Sequence, residues 1–183
     1  MAQRTGLVIV YTGNGKGKTS AALGAAMRAL GHGWKVLVIQ FFKGDSPVVY
    51  GELELAKRHT PQFEVLQLGR GFVKIMADKK PFEEHVEAAQ AALQLSREGL
   101  LSGRYDLVIL DEVIYALGYL DFKLIELKDV LQLIQEKPPQ THLILTGRNA
   151  PAELIEAADL VTEMGEVKHP MKRGIPAQQG IDY

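Results

Sequence analysis

The sequence predicts an α/β fold, a mostly parallel sheet carrying helices on both faces, and three observations predict it. Short apolar runs alternate with longer segments of helical periodicity along the chain, the order that builds parallel β-α-β units. The run Lys35-Val36-Leu37-Val38-Ile39-Gln40-Phe41-Phe42 is apolar at nearly every position, as expected of a strand covered on both faces. Glycines, cations and carboxylates follow the ends of the runs, which is where open α/β sheets bind their ligands.

The elements follow in order. Residues 7–10 form the first apolar run. Residues 18–30 place Ala22, Leu23, Ala26, Met27 and Leu30 on one helical face, and Gly31 is a plausible stop. After the second strand, residues 63–68 alternate apolar and polar and so belong nearer a sheet edge. Pro81 opens a helix over 81–101 with Phe82, Val86, Ala89, Leu93 and Leu100 at helical spacing. Residues 107–110 are the fourth strand. The helical pattern returns over 124–137 through Leu127, Val130, Leu131 and Ile134, ended by Pro138-Pro139. Residues 142–145 are the fifth strand, Pro151 opens a short helix with Leu154, Ile155 and Ala158, and Leu160-Val161-Thr162 is the sixth strand.

At 183 residues the chain is expected to form a single domain, 1–183, able to bury a sizeable core. A formal net charge of −1, with charged residues spread throughout, gives no electrostatic footprint for nucleic acid. The absence of cysteine removes disulfide frameworks and thiolate metal sites. The first apolar run has no small-residue cleavage site and is far below membrane-spanning length. The expectation is a cytoplasmic protein without membrane or nucleic-acid partners.

The chemistry gathers at the carboxyl ends of the strands. After the first comes Thr12-Gly13-Asn14-Gly15-Lys16-Gly17-Lys18-Thr19-Ser20, between a strand and an alanine-rich helix. Glycines let a backbone wrap a polyphosphate with its N–H groups facing the oxygens, at a helix N-terminus that favours the anion. Lys18 neutralises phosphate charge in this pattern, and the Thr19 hydroxyl completes a magnesium shell. The usual motif has four residues between its first glycine and the Gly-Lys-Ser/Thr triplet. Here Gly13 and Gly17 enclose three, one of them the second cation Lys16. Asp111-Glu112, at the end of the fourth strand, matches the carboxylate pair that supports magnesium in phosphate-loop proteins. Together these halves imply a single-domain, three-layer, phosphate-loop NTPase-like (RecA-like) fold.

The remaining strand ends read Gln40-Phe41-Phe42-Lys43-Gly44, Gly69-Arg70-Gly71-Phe72, Thr146-Gly147-Arg148-Asn149 and Lys168-His169. Singly, Lys43 and Arg148 are the kind of rim cation that is usually just solvated, and Phe41, Phe42, Phe72, Met76, Tyr115 and Tyr119 divide evenly between core and site. One large anionic ligand at the rim accounts for them jointly. No Ser/His/Asp or Cys/His nucleophile set is present, no second histidine or cysteine stands at metal-ligand spacing from His169, and no Asn-Lys-x-Asp guanine-reading segment occurs.

Several segments, taken together and in order, resemble one family: the ATP:corrinoid adenosyltransferases of the CobA/CobO type. They are the loop Gly13–Thr19, Gln40-Phe41-Phe42-Lys43-Gly44, Leu110-Asp111-Glu112, Thr146-Gly147-Arg148-Asn149-Ala150-Pro151, Ala158-Asp159-Leu160-Val161-Thr162-Glu163-Met164, Val167-Lys168-His169-Pro170, and the tail Gly174-Ile175-Pro176-Ala177-Gln178-Gln179-Gly180-Ile181-Asp182-Tyr183. The shortened loop is itself a trait of that family. The resemblance implies transfer of the 5′-deoxyadenosyl group of ATP to the Co(I) of a reduced corrinoid, with release of triphosphate, in adenosylcobalamin biosynthesis or salvage. It implies ATP as co-substrate, Mg2+ as cofactor, cobalt only within the corrinoid, a reduced flavoprotein as electron donor, and a homodimer.

Residue by residue, the resemblance gives Lys16, Lys18 and Glu112 the catalytic roles. It gives Gly13, Asn14, Gly15, Lys16, Gly17, Lys18, Thr19, Ser20 and Arg148 to ATP. Thr19 and Glu112 would ligate magnesium, with Asp111 in support. Phe41, Lys43, Phe72, Met76 and Tyr115 are expected on the corrinoid, with Phe72 under the corrin where it helps remove the lower axial ligand. Two departures stand out. Gly71-Phe72-Val73-Lys74 replaces the common Gly-Phe-Thr-Trp, and only about six residues precede the first strand, where many members carry a helix that covers the partner's nucleotide site. Nucleotide closure is then looser or supplied by another segment. The alternatives are an ordinary phosphate-loop kinase or ATPase, with Arg148 on phosphate, and a nucleotide- or corrinoid-binding module without turnover.

Overall fold

The computed structural model describes residues 4–73, 78–118 and 122–183. In chain order the elements are β1 (Val8–Thr12), α1 (Lys18–Gly31), β2 (Val36–Gln40), α2 (Gly51–His59), β3 (Phe63–Gln67), α3 (Phe82–Leu101), β4 (Leu107–Asp111), α4 (Val113–Ala116), α5 (Leu127–Glu136), β5 (His142–Thr146), α6 (Ala152–Ala157) and β6 (Leu160–Glu163), followed by a 3-10 turn, Pro170–Arg173. The strands form one sheet in the order β3-β2-β4-β5-β1-β6. Every neighbouring pair runs parallel, so all six strands present their carboxyl ends at one rim.

The apolar patterning explains the three layers. Val36 and Val38 of β2, with Leu107 and Ile109 of β4, face Ala22, Ala26 and Ala29 of α1 and Ala56 of α2. The alternate residues, Leu37, Ile39, Val108 and Leu110, face Ala89, Ala92 and Leu100 of α3 and Val130 and Leu133 of α5. Each central strand therefore buries both faces, which is why β2 and β4 are enclosed at every position. β3, the strand with the alternating pattern, lies at an edge as expected. In this sheet β5 stands between the phosphate-loop strand β1 and the carboxylate strand β4.

Four differences from the sequence expectation have physical reasons. α2 escapes a periodicity search because only Ala56 of its nine residues is buried. α4 is a single turn, too short to show a period. α5 starts at Leu127 and not at 124, because the N–H groups of Leu124 and Ile125 both donate to Ala116 O, 2.8 and 3.1 Å away, which holds them outside the helix. Met27, expected on the buried face of α1, is 71% exposed; the alanines carry the close packing instead. Among the described residues no helix is long and apolar enough to cross a membrane.

Candidate functional site

β1 delivers the chain at Thr12 to the glycine-rich loop, and α1 begins at Lys18. Two glycines are demanded by this path. Gly17, the residue that enters the helix, has φ 115°, and Gly13 has φ 93° with Met164 O only 2.5 Å from where a Cβ would stand. The Gly15 N–H donates to Met164 O at 2.7 Å, so the segment after β6 backs the loop. The Lys18 ammonium folds back across the loop and donates to Gly13 O at 2.8 Å and Gly15 O at 2.7 Å. Burial, and then the neighbouring Arg148 guanidinium, pull the Lys18 ammonium below its ordinary range, against the carboxylates of Glu112 and Asp111. α1 carries no acidic residue in its first turn, so nothing there competes with an anion for the helix N-terminus.

Lys16 turns elsewhere. Its Nζ lies 2.7 Å from Asp182 Oδ1 and 3.4 Å from Ile181 O, in the C-terminal tail. The two loop lysines, expected side by side on phosphate, are therefore held by different partners.

The carboxylates at the end of β4 sit in a dense network. Asp111, 1% exposed, accepts from Thr19 Oγ1 and from Thr146 Oγ1 on Oδ1, both at 2.8 Å. On Oδ2 it accepts from Gln40 Nε2 at 3.2 Å and Lys43 Nζ at 3.3 Å. Gln40 Nε2 also donates to Glu52 Oε1 of α2 at 2.8 Å, Gln67 Nε2 donates to Gln40 Oε1 at 2.8 Å, and Lys43 Nζ stands 3.5 Å from Glu52. Although burial disfavours its charge, the carboxylates of Asp111, Glu112 and Glu52 lift the Lys43 ammonium above its ordinary range.

Glu112 contrasts with its neighbour. Its backbone takes the left-handed conformation, φ 65° and ψ 12°, rare for a residue with a side chain and characteristic of functional sites. Thr146 Oγ1 holds that backbone by accepting the Glu112 N–H at 2.8 Å. The Glu112 Oε2 is buried and has no hydrogen-bond partner among the described residues. Burial, reinforced by the Asp111 charge, pushes its carboxyl up to about 7 in spite of Lys43, Lys18 and Arg148. A buried carboxylate oxygen left open beside a threonine hydroxyl and a phosphate loop fits a magnesium ion, which binds through one or two carboxylates and completes its shell with phosphate and water.

The loop, Glu112 and an aromatic group share one cavity of about 1280 Å3, above the roughly 300–1,000 Å3 of a single small-molecule pocket. Phe42 and Phe72 stack at 5.1 Å with their planes 6° apart, and Tyr115 meets both edge-on. Arg148 lies 5.9 Å from the Tyr115 ring centre and lines the cavity, as do Asn14, Ser20 and Lys43.

Of the residues expected on the corrinoid, Phe72 and Tyr115 line this cavity. Phe41 does not: it is 1% exposed and packs in the core, and Phe42 takes the cavity-facing position. Lys43 lines the cavity, but its charge is directed to Asp111 and Glu52 and its ammonium lies 4.4 Å over the Tyr50 ring. Met76, Lys74 and Tyr119 lie outside the described residues. Sequence reasoning missed Thr146, Gln40, Glu52 and Asp182 as site residues. Thr146 and Gln40 did stand at strand ends, a usable signal, while Glu52 and Asp182 enter only through the tertiary fold.

The sequence model of the family described as "ATP:corrinoid adenosyltransferase BtuR/CobO/CobP" matches residues 4–183. A corrinoid adenosyltransferase of Escherichia coli is 41% identical over 178 residues, covering 97% of this chain and 86% of that protein. One from a Sinorhizobium species is 42% identical over 188 residues, covering 100% and 84%. The corrinoid adenosyltransferase CobA of Salmonella typhimurium is 38% identical over 181 residues, covering 99% and 87%. Among solved structures, the RadB recombinase superposes with a TM-score of 0.53 at 14% identity over 91% of this chain and 78% of that one, a likeness of fold alone and of the phosphate-loop NTPase-like kind.

Proposed function

Because the chain belongs to the ATP:corrinoid adenosyltransferase family BtuR/CobO/CobP, we propose that its rim site transfers the 5′-deoxyadenosyl group of ATP to the Co(I) of a reduced corrinoid. The observation that carries this reading is the meeting, in one cavity, of a cationic phosphate loop, an open buried carboxylate and a stacked aromatic cluster. One part suits a triphosphate and the other a flat macrocycle.

The reaction needs little from the protein beyond placement and charge. The cobalt lone pair attacks the ribose C5′, a cobalt–carbon bond forms, and the C5′–O bond breaks with its electron pair departing on inorganic triphosphate. No proton is abstracted, so a site without a general base suffices. Negative charge develops on the leaving oxygen. Lys18, the loop N–H groups and the N-terminus of α1 stabilise that charge more in the transition state than in bound ATP. Glu112 and the Thr19 hydroxyl would hold magnesium, which supplies charge neutralisation to the triphosphate. Asp111 fixes Thr19, and Thr146 fixes the backbone of Glu112. In this reading Phe72, which stacks on Phe42, packs under the corrin and helps remove its lower axial ligand, which favours reduction to Co(I). Arg148 binds the nucleotide's phosphates at the rim. The reading extends to a reduced flavoprotein as donor, a homodimer, the cytoplasm, and a place in adenosylcobalamin formation.

The test is anaerobic incubation with ATP, magnesium and a chemically reduced Co(I) corrinoid. A light-sensitive cobalt–carbon product is expected, and its absence with preformed Co(I) overturns the reading.

A further inference from the structure

The segment that follows β6 wraps the phosphate loop on two sides. At its start, the backbone of Met164 and Gly165 stands against the loop: Met164 O accepts the Gly15 N–H, and a Cβ on Gly15 would lie 2.6 Å from Gly165 O. At its far end, Asp182 Oδ1 lies 2.7 Å from Lys16 Nζ. The terminal turn closes on itself, with Asp182 Oδ2 accepting the Gln178 N–H and the Asp182 N–H donating to Gln178 O, both at 2.7 Å. Residues 180–183 line the same cavity as loop residues 14–20. Between these two anchors the chain is exposed, including Lys168, Lys172 and Arg173.

A carboxylate beside a polyphosphate site is repulsive unless a cation stands between them. Lys16 is that cation, and its Lys16–Asp182 pair, with the Gln178 N–H, keeps the Asp182 carboxyl below its usual range. An ammonium has three donors. Asp182 and Ile181 O take two of them, which leaves one for a phosphate oxygen. An exposed ion pair by itself is weak, so the Lys16–Asp182 contact does not hold the tail firmly alone. A polyanion that uses the third donor orders Lys16 and strengthens the contact, and the converse follows by linkage.

We propose that Asp182 is a positioning residue for the nucleotide: through Lys16 it docks the turn 178–183 onto the phosphate loop, so that tail docking and polyphosphate binding reinforce each other. This rests on the cavity being a nucleotide site and is independent of adenosyl transfer.

The experiment is limited trypsin digestion of the full chain, with the released C-terminal fragments cut after Lys168, Lys172 or Arg173 followed by mass spectrometry, alongside calorimetric titration with Mg·ATP and with inorganic triphosphate. In the wild type either ligand slows release of the tail. Asp182→Asn abolishes the protection and weakens both ligands on the order of tenfold, whereas Asp182→Glu retains most of it. Lys16→Met also loses the protection and weakens both ligands more than Asp182→Asn, because it removes a donor to phosphate as well as the tail contact, and the double variant is no worse than Lys16→Met alone, as expected when Asp182 acts only through Lys16. Equal protection and equal affinity in Asp182→Asn overturn the proposal, as does faster tail release on adding ATP, which would make Asp182 a competitor for Lys16. A wild type whose tail is protected by ATP but that forms no cobalt–carbon product leaves the proposal standing and removes the transferase reading instead.

Discussion

Asp111 and Glu112 are adjacent carboxylates with opposite surroundings: Asp111 accepts four hydrogen bonds, whereas Glu112 keeps a buried oxygen without a partner among the described residues. The alternation of strand end and left-handed turn produces this difference. Asp111 still belongs to β4 and points among donors from β2, α1 and β5, while the φ of 65° at Glu112 swings its side chain into the cavity. Asp111 organises the donors, and Glu112 remains open to a cation.

That openness costs stability in the ligand-free protein. The Glu112 carboxyl is raised from its ordinary value to about 7, so the folded state favours the protonated form. Its favourable contribution is full below the unfolded value near 4.5 and is lost as pH rises through about 7. Glu112→Gln, permanently neutral, is therefore expected to melt higher than the wild type at pH 8, by about 2–4 °C for each kcal/mol gained in a domain of this size. The gap should close at pH 5. The same variant should lose magnesium-dependent ATP binding in calorimetry. A variant that melts below the wild type at pH 8 would remove the account of an uncompensated buried charge.

Lys18→Met should leave the fold intact and depress transfer. Losing a preorganised donor to developing charge costs about 2.7–4 kcal/mol of barrier, or 10²–10³ in kcat. Steady-state rates with saturating Co(I) corrinoid measure it, and a loss confined to KM would mean that Lys18 binds ATP equally in ground and transition states.

Phe72→Ala removes half of the stacked pair with Phe42 and opens one side of Tyr115. The expected result is a larger loss when the assay starts from Co(II) corrinoid and a reductant than when it starts from preformed Co(I). Equal losses in the two assays would show that Phe72 binds the corrin without affecting its reduction.

Much of this was legible in the sequence because the central strands β2 and β4 are buried on both faces. Six apolar runs became six strands, and the loop and Asp111-Glu112 announced themselves as strand-end chemistry. What failed to show was tertiary. Asp182 stands 166 positions after Lys16 by sequence number, and only the wrap of the tail brings them together. Glu52 belongs to a helix with one buried residue, so neither the helix nor its tie to Gln40 had a pattern to reveal it. Phe41 and Phe42 are indistinguishable by type, and the turn that follows β2 decides that Phe42 meets the cavity. Lys43 reads as a free rim cation until the positions of Asp111 and Glu52 are known.

At the opposite end of the sheet His142 gives the fold an acid-sensitive point. Its Nδ1 accepts the Leu7 N–H at 3.1 Å, and the ring stacks on Trp34 at 5.2 Å while Arg4 covers Trp34's ring. Burial, then the charges of Arg4 and Lys137, hold the imidazole below its ordinary value near 6.5. The neutral form is the native one, so its contribution is full above pH 6.5 and is lost as pH falls through the lowered value. His142→Gln should therefore show a smaller drop in Tm between pH 7 and pH 5 than the wild type. An unchanged drop would assign the acid sensitivity to other groups.

A loop that holds triphosphate as a leaving group leaves a direct signature in the phosphorus NMR spectrum of a completed anaerobic reaction with ATP, magnesium and Co(I) corrinoid. Inorganic triphosphate is expected in equal amount to the cobalt–carbon product. ADP and orthophosphate, with no cobalt–carbon product, would contradict it and identify the site as one that cleaves at the γ-phosphorus.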